Sequence, residues 1–364
     1  MHTLALVTLL VAVVVATVTG YPGAASQPFG HTRGRAHDKT IDGGSGHGLP
    51  NVTHALAGGG SGSRKAQFVH TFVNRSLDGV RYTGHLLVLD NPSPGTFALL
   101  PPYPGGCGTK AYTTSTAAAG RCLAATNAGF FDVATGACLG SLVSDGKVVQ
   151  ASTLVRPSFG MLAANAHRTH PVFFAGYVAA TTETELASAG FVNLVSGVGW
   201  LVANGTSFLN ASIAIEHPSP SFVAEAAPRL AIGHDADGRL MILEVDGDEI
   251  FKTGPNLVQL TALALDLGFY NAVNLDGGGS DTVVLGSSIC SSCGALNQTC
   301  TDIKASATPT MPAASAPPTP AGEYMPCIKC GYAAGHNLHI PLCQRLVTSI
   351  TCIRDTPDEI LTTP

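Results

Sequence analysis

The stretch from Gly254 to Leu285 constrains this chain more than any other, because two different structural periods meet in it. Leu257, Leu260, Ala264 and Leu267 recur at a three-to-four spacing and predict a helix, with Pro255 suited to its first position and Gly268 to its C-cap. The apolar run Ala272 to Leu275 then reads as a buried strand and Thr282 to Leu285 as a second. Between the two strands stands Asp276-Gly277-Gly278-Gly279-Ser280, which neither period can carry. Two hairpins are expected elsewhere. Arg229 to Gly233 and Arg239 to Val245 flank His234 to Gly238, with the tip at Asp237-Gly238, while His85 to Leu89 and Thr96 to Leu100 flank the turn-forming cluster Asn91-Pro92-Ser93-Pro94-Gly95. Arg345 to Ile353 reads as a last strand carrying Cys352. The expected fold is therefore α+β: a largely antiparallel β-sheet with packed helices, in a single disulfide-stabilised domain spanning 66–364, with ordered structure beginning near Phe68.

Composition narrows the function. The 364 residues are only 12% charged, against roughly 25% in an average soluble domain, and the net charge is -5, so no basic field exists to hold nucleic acid. Leu4 to Val18 form an uncharged apolar run that predicts a signal peptide over 1–20, an uncleaved anchor being the alternative. Ten cysteines, an even number, suit disulfides, and Asn51, Asn74, Asn204, Asn210 and Asn297 each open a glycosylation sequon. Together these predict a secretory-route glycoprotein with no membrane span in the mature chain. Residues 21–65 are rich in Gly, Ser and His and predict a flexible leader, either a removed pro-segment or a solvated linker. Residues 305–321 predict an exposed Pro, Ala and Thr loop.

Three groups of residues carry chemistry. Asp276 at the end of a buried strand, followed by Gly277, Gly278 and Gly279 and then Ser280, sets a carboxylate beside backbone amides with no Cβ to obstruct a sugar or a phosphate; a plain flexible turn is the bland alternative. Asn127, ahead of Gly129-Phe130-Phe131, offers an amide that both donates and accepts as sugar hydroxyls require, and the two phenyl rings are either a sugar-facing wall or core. Arg229 can grip phosphate bidentately and His234 can exchange a proton, but a five-residue separation puts them on opposite faces of a strand unless a bulge intervenes. Cys290-Ser291-Ser292-Cys293 and Cys327-Ile328-Lys329-Cys330 favour disulfides over zinc, and Asp246-Gly247-Asp248 lacks the spacing of a calcium loop. No metal site is assigned and no cofactor is expected.

The series Asn127 to Phe131, Cys138-Leu139-Gly140 with Ser144-Asp145-Gly146, Ser196-Gly197-Val198 with Trp200-Leu201-Val202 and Asn204-Gly205, Arg229 to Asp235, and Asn274 to Ser280 resembles the phosphodiester glycosidases across about residues 68–354. That resemblance implies a hydrolase that removes N-acetylglucosamine from a phosphodiester to mannose, exposing mannose 6-phosphate on the glycans of lysosomal hydrolases, in the Golgi lumen or outside the cell. It implies a phosphoglycan substrate on glycoproteins. It also implies the pairings Cys107 with Cys138 and Cys122 with Cys352. Within it, Asp276 is expected as nucleophile or base, Arg229 and the amides of Gly277 to Gly279 as the phosphate grip, and Ser280, Asn127 and His234 as groups that place hydroxyls or move a proton. Leu230 and Asp281 depart from the family's pattern, where a Thr or Ser and a small residue usually stand. The competing readings are trimming of phosphodiester-linked sugars from a surface polysaccharide and a secreted glycan-binding module without turnover.

Overall fold

The structure is a computed structural model, and it describes residues 49–57, 67–166, 168–249, 252–286, 288–292, 301–302 and 345–355. Its strands form three sheets, and every pairing among the described strands is antiparallel. The central seven-stranded sheet runs, in spatial order, Thr206–Ser207, Trp200–Ala203, Phe269–Leu275, Arg229–Asp235, Leu240–Val245, Val80–Asp90 and Gln67–Leu77. One six-stranded sheet is built on Arg156–Leu162, Val172–Val178 and Phe191–Ser196; the other holds Thr282–Leu285, Ala124–Asn127, Ile350–Ile353 and Phe97–Leu100 side by side.

Side-chain alternation divides the core into layers. On the strand Arg229–Asp235, Leu230 and Ile232 face a cluster to which all three sheets contribute, including Phe97, Phe159, Trp200, Leu275 and Val283. Ala231 faces the other way, into a layer that packs Leu257, Leu260, Leu263 and Ala264 of the helix Leu257–Asp266 against the seven-stranded sheet. That helix begins two positions later than the sequence predicts, at Leu257 instead of Pro255. Asn256 is its N-cap, accepting from Gln259 N while Gln259 Oε1 accepts from Asn256 N, both at 2.9 Å. Pro255 therefore precedes the cap instead of opening the first turn, and the C-cap is Leu267 instead of Gly268, which stands one position beyond it at φ +89°.

The hairpin Arg229–Asp235 with Leu240–Val245 forms as expected, pairing His234 with Leu240 and Arg229 with Val245, with Gly238 at its tip at φ +81°. The other expected hairpin does not. Val80–Asp90 pairs with Leu240–Val245 and Gln67–Leu77, whereas Phe97–Leu100 pairs with Ile350–Ile353 in a different sheet. The cluster from Asn91 to Thr96, closed by Phe97 N donating to Ser93 O at 3.2 Å, redirects the chain between sheets. The leader is also not uniformly without structure: Asn51–Ala55 is a strand against Val172–Val178, with His54 stacked on His234 at 4.5 Å. The last strand is shorter than expected, Ile350–Ile353, and Val347 forms only an isolated bridge with Ala111.

Both implied disulfides are present, Cys107–Cys138 and Cys122–Cys352, with Cα separations of 5.4 and 5.3 Å. Asn74, Asn204 and Asn210 are exposed, Asn51 is half-buried, and Asn297 lies outside the described residues. So do residues 305–321, Cys327 and Cys330. No helix among the described residues is long and apolar enough to cross a membrane.

Candidate active site

Asp276 stands where the chain leaves the strand Phe269–Leu275 of the seven-stranded sheet for Thr282–Leu285 of a six-stranded one. The crossing is held from the side by Asn127 and Ala128. Asp276 N donates to Ala128 O at 3.0 Å, Asn127 Nδ2 donates to Asp276 O at 2.7 Å, and Asn127 Oδ1 accepts from Thr282 N at 3.1 Å. One amide thus clamps both ends of the crook, and Asn127 is fully buried. It is occupied in positioning Asp276 and is not presented to sugar hydroxyls as the sequence suggested.

The glycines are required by what lies against them. A Cβ at Gly277 would meet Pro228 O at 2.4 Å, and Gly278 sits at φ +57°, where a Cβ would meet Glu249 Oε1 at 2.6 Å. Two of the amides expected to cradle phosphate are used internally: Gly278 N donates to Pro228 O at 2.9 Å and Gly279 N to Glu249 Oε2 at 3.0 Å. Ser280 is buried, and its Oγ receives Arg345 Nη1 at 3.5 Å. Arg345 in turn reaches Glu249 Oε2 at 3.3 Å.

Arg229 lies on the same side as Asp276. Its Nη2 donates to Phe222 O at 3.0 Å and Glu225 O at 2.8 Å, and its guanidinium stacks over the Phe222 ring at 4.9 Å. Phe130 meets that ring edge-on at 5.9 Å, giving the site an aromatic wall, while Phe131 is core. Burial pulls the Arg229 guanidinium down, and the charges of Glu225, Asp276, Asp281 and Glu249 oppose the fall.

Asp276 itself is pushed up to about 7, chiefly by burial with Glu249 adding to it; the Ser280 hydrogen bond, Arg345 and Arg229 act in the opposite sense. A carboxyl poised there exchanges its proton near neutrality, the property that general acid-base work requires.

His234 is not part of this cluster. It lies five positions along the strand from Arg229, about 16 Å at the rise of a strand, and faces the opposite side. Its ring stacks on Phe173 at 5.2 Å, its Nδ1 donates to Asp235 O at 2.7 Å, and its Nε2 accepts from Asn271 Nδ2 at 2.9 Å. Burial drives it down to about 3, so it is a neutral core residue. Leu230 faces the shared core on that same side, away from Arg229.

The structure therefore brings together Asp276, Gly277, Gly278, Gly279, Ser280, Asn127 and Arg229. It adds Glu249, Arg345 and Asp281, none of which the sequence analysis placed at the site. The available signal was the rarity of charge: Glu249 follows the acidic tract Asp246-Gly247-Asp248 and Arg345 stands alone before an apolar strand, in a chain with few charged residues to spare.

The sequence profile described as phosphodiester glycosidase matches residues 120–311. The N-acetylglucosamine-1-phosphodiester alpha-N-acetylglucosaminidases of Mus musculus and Homo sapiens are each 36% identical over 234 residues, 61% of this chain, and the chain spans 43% and 44% of their lengths. The zebrafish catalytic domain of the same name, auto-inhibited by its pro-peptide, superposes with a TM-score of 0.61 at 27% identity, covering 84% of this chain and 88% of that one. The chain belongs to the phosphodiester glycosidase family.

Proposed function

We propose that this chain hydrolyses the bond between N-acetylglucosamine and phosphate in a sugar 1-phosphodiester, and that its natural substrate is the mannose-linked diester whose cleavage leaves mannose 6-phosphate on a glycoprotein. The supporting observation is a half-buried carboxyl, Asp276, raised to about 7 with Arg229 and Arg345 acting on it, the Arg229 guanidinium stacked over Phe222.

The departing group is a phosphate monoester, stable without a proton, so the reaction needs little acid help at the leaving oxygen. It needs a base or nucleophile at the anomeric carbon and positive charge on the phosphate. Asp276 supplies the first when ionised. Arg229, pinned on one side by carbonyls, and Arg345, reaching Ser280, supply the second. Water contributes the hydroxyl that ends on the sugar, and its second proton leaves through Asp276. Glu249 is a second carboxylate within the same cluster.

On this reading the enzyme works on the secretory route, after removal of a signal peptide over 1–20. Residues 21–65 correspond on this reading to a pro-segment; the strand Asn51–Ala55 within it lies in a different sheet from the strand Phe269–Leu275 that leads to Asp276. The test is release of N-acetylglucosamine from a methyl-phosphomannose diester by the purified chain. Asp276→Asn is expected to lower kcat by about 10²–10⁴-fold, the usual worth of a general acid-base group. Activity within a few fold of the parent would remove Asp276 from the chemistry.

A further inference from the structure

A cavity of about 270 Å³ that the proposed reaction does not use lies beside the short helix Glu183–Ser188. It is on the face of the sheet holding Val172–Val178 that is turned away from the shared core: along that strand Phe173, Ala175 and Tyr177 join the core, while Phe174 and Val178 join a separate cluster with Leu186 and Phe191. Phe174, Leu186 and Phe191 are its buried, apolar lining, the two phenyl rings edge to face at 5.1 Å. Asn51, Arg168 and Ser188 are its polar, less buried lining. Arg168 donates Nε to Ala163 O at 3.3 Å and forms no ion pair among the described residues. Pockets for drug-sized ligands run from about 300 Å³ upward, so this one suits a group of monosaccharide size. An apolar wall beside donors is what the carbon face and the hydroxyl edge of a sugar require.

Asn51 reaches this space because of a glycine. It opens the edge strand Asn51–Ala55 and pairs with Gly176, where a Cβ would come within 2.4 Å of the Asn51 Cβ and 3.0 Å of the Phe174 Cζ. The bare backbone lets the amide and the phenyl ring share the room above it. Val52 packs against the shared core, which turns Asn51 and Thr53, the two defining residues of the sequon, to the cavity side. Asn51 Oδ1 is buried without a hydrogen-bond partner. At the exposed Asn74, Asn204 and Asn210 a glycan projects into water, whereas at the half-buried Asn51 it needs a place within the fold.

We propose that Asn51 carries an N-glycan whose first N-acetylglucosamine is seated in this cavity, its ring against Phe174 and Phe191 and its polar edge towards Arg168. In the modification Asn51 Nδ2 loses a proton and bonds the anomeric carbon of the sugar, whose bond to a lipid-linked pyrophosphate breaks. Asn51 lies in the span read as a pro-segment and its neighbours in the cavity lie in the body of the domain. The seated sugar therefore strengthens the hold on this strand, alongside the bond from Ala57 N to Gly238 O at 2.8 Å. The inference rests on the secretory part of the functional reading and is independent of the glycosidase chemistry.

The test uses the full chain secreted from cultured cells. The folded protein is digested with peptide N-glycosidase F, which cuts the bond between sugar and asparagine, and release is followed site by site by mass spectrometry. Asn51 is expected to be occupied and to lose its glycan roughly tenfold more slowly than Asn74, Asn204 and Asn210, because access waits on local opening. Unfolding the chain should abolish the difference. Ala189→Trp, which fills the cavity from an exposed lining position, should displace the sugar and bring release at Asn51 close to that at Asn74. Should that variant fail to fold, Arg168→Ala is expected to act in the same direction. Asn51 bare while the other sequons are occupied, equal release at all four, or protection that the variant leaves unchanged would overturn the seat. A chain bare at all four sequons would overturn the secretory reading and the seat with it.

Discussion

Replacing Asn127 with Ala separates a positioning role from a substrate-binding one. The Asn127 side chain is fully buried and satisfies two backbone groups, Asp276 O at 2.7 Å and Thr282 N at 3.1 Å. Removing it strands an acceptor and a donor where water does not reach, at about 1–3 kcal/mol for each orphaned group. The expected loss is therefore about 2–6 kcal/mol of unfolding free energy, which in a chain of this size lowers Tm by roughly 5–20 °C. Because the clamp sets where Asp276 stands, kcat should fall as well, with KM changed less. Urea unfolding of parent and variant, followed by steady-state kinetics on the diester, reads both quantities. If stability stays within about 0.5 kcal/mol and KM alone rises, Asn127 is a substrate ligand after all and the clamp argument fails.

Other perturbations follow from the same geometry. Replacing both Cys122 and Cys352 with Ala opens a loop closed across 230 residues, and the chain-entropy argument puts the loss at about 5 kcal/mol; a denaturation midpoint unchanged under oxidising conditions would refute it. His234→Phe removes the acceptor of Asn271 Nδ2 and should cost about 1–3 kcal/mol while leaving the shape of the pH-rate curve untouched, so a lost or displaced limb would return His234 to the chemistry.

What the sequence disclosed depended on how local the cause was. The hairpin with Gly238 at its tip, the helix with its apolar stripe and the strand that ends at Asp276 follow from turn residues and periodicity within a few positions. The parity argument separating Arg229 from His234 held, because side-chain alternation is a property of the strand alone. The partner of Phe97–Leu100 was not legible: it is Ile350–Ile353, some 250 residues away, and the intervening prolines look the same in a hairpin and in a change of sheet. Glu249 and Arg345 were missed for the same reason, since tertiary packing alone carries them to Ser280 and Gly279. Asn127 reads in the sequence as a ligand for hydroxyls, whereas the structure buries its amide against backbone. Nothing in its neighbourhood announces that both its polar atoms bind backbone 149 and 155 residues onward.

The account stands on Asp276 being the group whose ionisation switches the reaction on. The direct measurement is kcat/KM for N-acetylglucosamine release across pH 5 to pH 9, for the parent and for Asp276→Asn. Since the carboxylate form is the working one and burial raises it to about 7, the rate should climb with pH through a midpoint near that value, and the residual activity of the variant should lack the limb. A midpoint near the ordinary carboxylate value of about 4, or a limb that persists in Asp276→Asn, would contradict it.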